Sequence, residues 1–247
     1  VIGAGAGIGG NVAQRFAAEG YHAVLCRRSN EEGLLKMVAD IRETGGSASG
    51  RLLNAVKEGS IEDLVTSVEN EHGPIHTAVY NLGAQIGDRT LENTSPKAFE
   101  MGWRLGTLGL FRLAQASFPH MIRRGEGCLL VTSATAAVRG NGGQHSHAAA
   151  MGGRRMLCQS LNAEFASKGI HVAHIILDGA VDAPDTLGKM LGPERFQKLR
   201  DSHGKEKDGL ILPDKVAETF LHLATQHRSA WTFECDMRAW SDRPWWN

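Results

Sequence analysis

A doubly wound parallel sheet of the α/β class, formed by residues 1–247 as a single domain with about seven strands, is the fold this sequence predicts. Three observations predict it. Short runs rich in Val, Ile and Leu alternate with segments of helical period ten or more residues long. Connections of that length imply parallel pairing through right-handed crossovers. A glycine cluster, Gly3-Ala4-Gly5-Ala6-Gly7-Ile8-Gly9-Gly10, lies between the first apolar residues and the first helical pattern. No linker, repeat or low-complexity stretch breaks the alternation, so one sheet covered on both faces accounts for the pattern.

The elements follow in order. Val1-Ile2 reads as the end of a first strand. Residues 11–19 form a helix with Val12, Ala13, Phe16 and Ala17 on one face, and Gly20 stops it. Ala23-Val24-Leu25 is the second strand, Leu34, Met37, Val38 and Ile41 mark the second helix, and Gly45-Gly46 ends it. Arg51-Leu52-Leu53 suggests a third strand, and Ser60-Ile61-Glu62-Asp63 a capped helix start. Residues 75–80 are the fourth strand. Ser95-Pro96 places an N-cap before proline and opens a long helix to about Met121. Residues 128–131 are the fifth strand, 147–167 a helix and 170–177 the sixth strand. An irregular, charge-rich insertion at about 183–212, carrying Gly188, Gly192, Gly204 and Gly209, suits a mobile substrate lid. Asp214 caps a further helix, Trp231-Thr232-Phe233 is the last strand, and an aromatic tail covers about 237–247.

Composition narrows the function. Lys+Arg and Asp+Glu are both 27, which argues against a nucleic-acid partner, and no apolar run spans a membrane. Cys26, Cys128, Cys158 and Cys235 are scattered, as expected of reduced thiols in the cytoplasm. His145, His147, His171 and His174 lack a zinc spacing, and no metal is expected. The chain opens without Met, so a few residues are expected before Val1.

Glycines between a strand and a helix let the backbone approach a pyrophosphate at the helix N-terminus. Two registers compete. Gly5, Gly7 and Gly10 fit the general dinucleotide spacing, whereas Gly3, Gly7 and Gly9 begin at the strand end and set Ile8 beneath the loop. The second fits the context better; a glycine-rich turn without ligand is the alternative. After the second strand come Cys26-Arg27-Arg28 rather than an acidic residue, which suits the 2′-phosphate of NADP better than the ribose of NAD.

With Asn81-Leu82-Gly83, Thr132-Ser133 and Asp178-Gly179-Ala180-Val181 after later strands, the chain resembles the short-chain dehydrogenase/reductase family over nearly its whole length. The resemblance implies a Rossmann-like fold and cofactor contacts from Gly3, Gly5, Gly7, Ile8, Gly9, Arg27, Arg28, Asn54, Asn81, Gly83 and Val181. It also implies an Asn, Ser, Tyr and Lys active site, in which Lys lowers the Tyr pKa from one helical turn away. Here the pattern departs. Tyr21 and Tyr80 are the only tyrosines, and neither has Lys four residues on. The register of Leu157-Cys158-Gln159-Ser160-Leu161 puts His147 at the Tyr position and Met151 at the Lys position, while Gly106 falls at the Asn position. Asp178 replaces the usual Pro, and Ala183 a Thr. Ser133 remains, and with His147 it forms the candidate catalytic pair: a hydroxyl to polarise a carbonyl and an imidazole that titrates near neutral pH. His147 as a plain polar residue at a helix start is the competing reading, and His145 replaces it if the register slips.

The resulting expectation is an atypical NADP(H)-binding oxidoreductase on a small carbonyl or alcohol substrate. A non-redox cyclase, isomerase or lyase on the same scaffold, or a nucleotide-binding protein without catalysis, are the alternatives. The family also implies a homodimer or homotetramer, with close approach of the long helices at Gly106, Gly109, Gly152 and Gly153, and Trp240, Trp245 and Trp246 packing against another subunit. Trp231 is expected in the core.

Overall fold

The computed structural model describes residues 1–83, 90–203 and 208–246; Gly204 and Asn247 lie outside them. In chain order the elements are α1 (Ile8–Ala18), β1 (His22–Arg27), α2 (Glu31–Glu43), β2 (Ser47–Leu52), α3 (Ser60–Glu71), β3 (Thr77–Tyr80), α4 (Pro96–Trp103), α5 (Gly109–Arg124), β4 (Gly127–Ala134), α6 (His145–Phe165), β5 (Ile170–Leu177), α7 (Lys189–Leu191), α8 (Pro193–His203), α9 (Pro213–Ala224) and β6 (Glu234–Met237). The chain divides into two compact units: Val1–Leu52 with Leu177–Thr225 and Asp236–Asn247, and Leu53–Ile176 with Gln226–Cys235.

In the first unit β1 and β2 pair in parallel, from His22 opposite Ser47 to Arg27 opposite Leu52, and Ile2 bridges Cys26 in the same sense. The crossover is α2, whose buried Leu34, Val38 and Ile41 pack with Leu25 and Ala48. Asn30 starts it, its side chain accepting from the Gly33 amide at 3.0 Å. β2 begins at Ser47, four residues before the expected Arg51-Leu52-Leu53. Its first four residues are Ser, Ala, Ser and Gly, small enough to leave no apolar alternation, and a Cβ at Gly50 would stand 2.9 Å from Leu34 Cγ. Here the small residue makes room for α2. α1 buries Val12, Ala13, Phe16 and Ala17 and packs on α9, which buries Val216, Ala217 and Phe220.

The expected caps divide. Ser95 accepts from the Ala98 amide at 3.2 Å ahead of Pro96, as its sequence predicts. Ser60 does not cap α3; Gly59 precedes the helix, and the Ser60 hydroxyl donates to the Asn54 and Lys57 carbonyls. Asp214 sits in the first turn of α9 behind Pro213, where it faces the helix dipole without capping. The insertion after β5 is also more regular than expected. A π-helical turn Pro184–Gly188, α7 and α8 occupy it, with Phe196 buried against Gly188, and Val181 bridges Ile211 beyond them.

A four-stranded sheet runs in the order β3-β4-β5-β6, and the second unit holds β3, β4, β5 as far as Ile176 and β6 as far as Cys235. β3 and β4 are parallel, from Thr77 opposite Cys128 to Tyr80 opposite Val131. The single long helix expected after Pro96 is three pieces: α4, a π-helical turn Arg104–Leu108, and α5. The last strand lies three residues later than expected. Arg228–Ala230 forms a 3-10 turn, and half-buried Trp231 stacks on the His171 ring at 4.9 Å instead of entering a strand.

His174 of β5 is fully enclosed, with Nδ1 3.0 Å from the Glu234 carboxylate, which also accepts two bonds from Arg155 at 2.7 and 2.9 Å. Burial holds the His174 imidazole down to about 4, below its usual 6.5. The unfolded chain therefore binds a proton between pH 6.5 and 4 that the folded chain refuses, so stability falls with pH through that window. Unfolding free energies from urea titrations at pH 7 and pH 4 are expected to differ by about 3 kcal/mol through this group. His174→Gln flattens that slope; a variant as acid-sensitive as the parent would contradict the assignment.

Candidate functional site

Two groups of residues, one in each unit, answer to the sequence motifs. In the first unit the amides of Gly3 and Ala4 both donate to the Cys26 carbonyl at 2.9 Å, which ties the start of the glycine loop to the end of β1. Gly3 has φ +93°, a conformation that favours glycine. α1 begins at Ile8 with Gly7 as its N-cap and no side chain capping it. Beyond it Gly9 is buried and Ile8 half-buried. The loop is closely packed where it turns. Gly10 donates to the Gly5 carbonyl at 2.8 Å, and a Cβ at Gly10 would stand 2.6 Å from that oxygen. A Cβ at Gly7 would stand 3.0 Å from Ala183 Cβ, whereas one at Gly5 would meet nothing within 4 Å. Close packing on one side of the loop and open space at Gly5 make a backbone cradle above a helix N-terminus, a fit for a pyrophosphate. Arg27 is half-buried and Arg28 exposed at the end of β1.

Val181 is half-buried in the same unit, beside Asp178. Asp178 is 7% exposed; its carboxylate accepts from the Trp245 amide at 2.9 Å and from Arg238 at 3.5 Å. Trp245 also donates through its indole to Asp236 at 2.8 Å, while Trp240 and Trp246 stay exposed. Trp240, Met237, Ile211 and the Asp182–Arg200 ion pair line a cavity of about 1230 Å³.

The second unit gathers the other motifs. Asn54 is exposed in the turn before α3, Asn81 is half-buried after β3 and Gly83 is exposed. Ser133, near the end of β4, is 4% exposed, and its hydroxyl lies 4.0 Å from the sulfur of Met151. The residue at the expected lysine position therefore does face the serine, and it is a thioether. His147 is half-buried in the first turn of α6, one turn ahead of Met151; His145 is exposed. Both tyrosines are engaged elsewhere. Tyr80 donates to the Leu105 carbonyl at 2.6 Å and burial pushes its phenol up to about 12, and Tyr21 packs its ring edge-on to Phe16.

Sequence reasoning passed over one member of this group. Arg154 of α6 is 1% exposed and donates to the carbonyls of Gly106, Thr132 and Leu82 at 2.7, 2.5 and 2.7 Å. The signal was present: an arginine on the stripe of Ala150, Met151 and Cys158, one turn past the expected lysine position.

The model of the short chain dehydrogenase family matches residues 1–187. A short-chain reductase of Streptomyces niveus, NovJ, is 31% identical over 227 residues, 91% of this chain and 85% of the relative. The crystal structure of a short-chain dehydrogenase from Rhodopseudomonas palustris matches with a TM-score of 0.79 at 31% identity, covering 96% of this chain and 95% of that one. An alcohol dehydrogenase from the archaeon Thermococcus sibiricus, complexed with 5-hydroxy-NADP, shares the fold at a TM-score of 0.83 and 24% identity, covering 99% and 97%. The α/β class with a parallel sheet and Rossmann-like winding is thus the fold of this chain.

The geometry around Asp178 generates a test of the tail. Asp178→Ala leaves the Trp245 amide and Arg238 without their shared acceptor, at a cost of about 1–3 kcal/mol. Limited trypsin digestion is expected to cut that variant after Arg238 while the parent tail resists, Arg243 being shielded by the proline that follows it; equal digestion would contradict the anchoring role.

Proposed function

This chain belongs to the short-chain dehydrogenase family, and from that premise we propose that it is an NADP(H)-dependent oxidoreductase of a small carbonyl or alcohol substrate, with the retained Ser133 and, at the usual Tyr position, His147 as its acid/base pair. The observation that carries the reading is the glycine loop: closely packed at Gly7 and Gly10, open at Gly5, and set above an uncapped helix start. In this reading Gly3, Gly5, Gly7, Ile8 and Gly9 bind the pyrophosphate through their backbone, and Arg27 and Arg28 take the 2′-phosphate. Asn54 lies toward the adenine, and Asn81, Gly83 and Val181 toward the nicotinamide half. The cofactor, when bound, supplies or accepts the hydride. Ser133 donates a hydrogen bond to the substrate oxygen, and His147 gives or takes the proton there. The reductase name of the Streptomyces relative and the NADP analogue in the archaeal enzyme support this reading.

Met151 favours a second reading. A thioether supplies neither positive charge nor donors to a ribose, so a lyase, isomerase or cyclase that uses only the pocket and one acid/base remains in play. We place the protein in the cytoplasm on the strength of its four free cysteines, three of them buried; no helix among the described residues is long and apolar enough to cross a membrane. Phe99, Trp103 and Phe111 are exposed large apolar side chains on α4 and α5, and a second copy of the chain is the partner that would cover them.

Two measurements test the proposal. Titration of intrinsic fluorescence with NADPH and NADH is expected to show tighter NADPH binding, and Arg28→Glu to weaken NADPH about tenfold while sparing NADH. An equal loss for both cofactors would remove the arginine from the 2′-phosphate site. In carbonyl reduction assays His147→Ala is expected to lower kcat about 100-fold with NADPH affinity retained. Unchanged turnover would exclude the imidazole, and conversion of a substrate without nucleotide would favour the second reading.

A further inference from the structure

Helix α6 turns a stripe of Ser146, Ala150, Met151, Arg154 and Cys158 inward, and only one of these carries a charge. The Arg154 guanidinium spreads its donors over three segments: Nε to Gly106, Nη1 to Thr132 and Nη2 to Leu82. Its face lies over the Tyr80 ring, 5.3 Å from the centroid. Among the described residues no carboxylate pairs with it. A buried cation without a counter-ion is expensive, so a chain that keeps one has committed the surrounding carbonyls to it.

Those carbonyls belong to the residues that frame the site. Leu82 is the centre of Asn81-Leu82-Gly83, Thr132 adjoins Ser133, and Gly106 is the middle of the π-helical turn. The same turn is tied twice more, by Tyr80 to the Leu105 carbonyl at 2.6 Å and by the Thr107 hydroxyl to the Ala150 carbonyl at 2.8 Å. The cation stands one helical turn beyond Met151, whose sulfur faces Ser133.

We propose that Arg154 is the positioning residue of this site, a three-way clamp on the carbonyls of Leu82, Gly106 and Thr132 that holds the Asn81–Gly83 loop and Ser133 in register, the ordering work that a lysine at position 151 would share. The proposal rests on the redox reading for the purpose of that ordering, but the clamp itself is a property of the cofactor-free protein. A guanidinium fork is needed because three acceptors on separate segments require planar donors in fixed directions. A single ammonium reaches fewer of them.

Backbone hydrogen–deuterium exchange of the cofactor-free protein is the decisive experiment, comparing the parent with Arg154→Ala. Exchange is expected to rise about tenfold or more in residues 81–83, 104–108 and 131–133, with the rest of the chain unchanged. Guanidinium ion, added below denaturing concentration, is expected to restore protection in the same segments, and urea at equal concentration is not. With NADPH and a reducible carbonyl, kcat is expected to fall about 30-fold while the NADPH dissociation constant stays within about threefold. If the alanine variant does not fold, Arg154→Lys serves; it keeps the charge, loses the fork and is expected to show the same local pattern at about a third of the amplitude. Unchanged exchange, or a uniform rise across the chain, overturns the clamp. Failure of the parent to bind NADPH overturns the redox reading instead, and the exchange result still decides the role of Arg154.

Discussion

One guanidinium, taken out of water and answered by three backbone carbonyls and the face of Tyr80, constrains the second unit. Enclosing an unpaired cation costs several kcal/mol. Charge-assisted bonds to carbonyls return about 1.5–3 kcal/mol each, so Arg154 is tolerated only while all three of its acceptors stay in place. β4, the segment after β3 and the π-helical turn are each held at one carbonyl by this group. Gly109 suits this arrangement. A Cβ at Gly109 would collide with the Tyr80 hydroxyl, and Tyr80 itself forms the ring beneath the guanidinium.

The same constraint orders the segments around Ser133. Ser133 lies at the end of a strand whose preceding carbonyl is fixed, and Met151 closes the space beside it with a soft apolar side chain. Tyr80, the one tyrosine of this unit, is withdrawn from proton transfer by burial and by its bond to Leu105. On α6 two imidazoles stand in the first turn, His145 exposed and His147 half-buried. The glycine loop, by contrast, depends on no charge: close packing at Gly7 and Gly10 and the left-handed Gly3 shape it through sterics alone.

Much of this was legible in the sequence, for physical reasons that differ by residue. The glycine cluster and Ser95-Pro96 announce themselves because special backbone geometry demands special residues. That His147 and Met151 share one helix a turn apart was legible by counting back from Leu157-Cys158-Gln159-Ser160-Leu161; the contact of Met151 with Ser133 is a tertiary fact that counting does not give. The polar start of β2 was not legible, because Ser47, Ala48, Ser49 and Gly50 carry no apolar alternation to read. Nor was the π-helical turn, since one extra residue in a helix shifts the stripe without leaving a breaker in the sequence. The order in the insertion after β5 was missed because Phe196 is the only strongly apolar anchor in a charged helix. Arg154 escaped because arginine on a helix is read as solvated by default; its place on the stripe of Ala150, Met151 and Cys158 hinted at burial, but its three acceptors are visible only in the fold.

A crystal structure of the protein with NADPH bound tests the account most directly. The account predicts an ordered nicotinamide between the Asn81–Gly83 loop and Ser133, within reach of His147, and a guanidinium still bonded to its three carbonyls. Density for the adenosine half alone, or an arginine swung out to solvent when nucleotide binds, would contradict it.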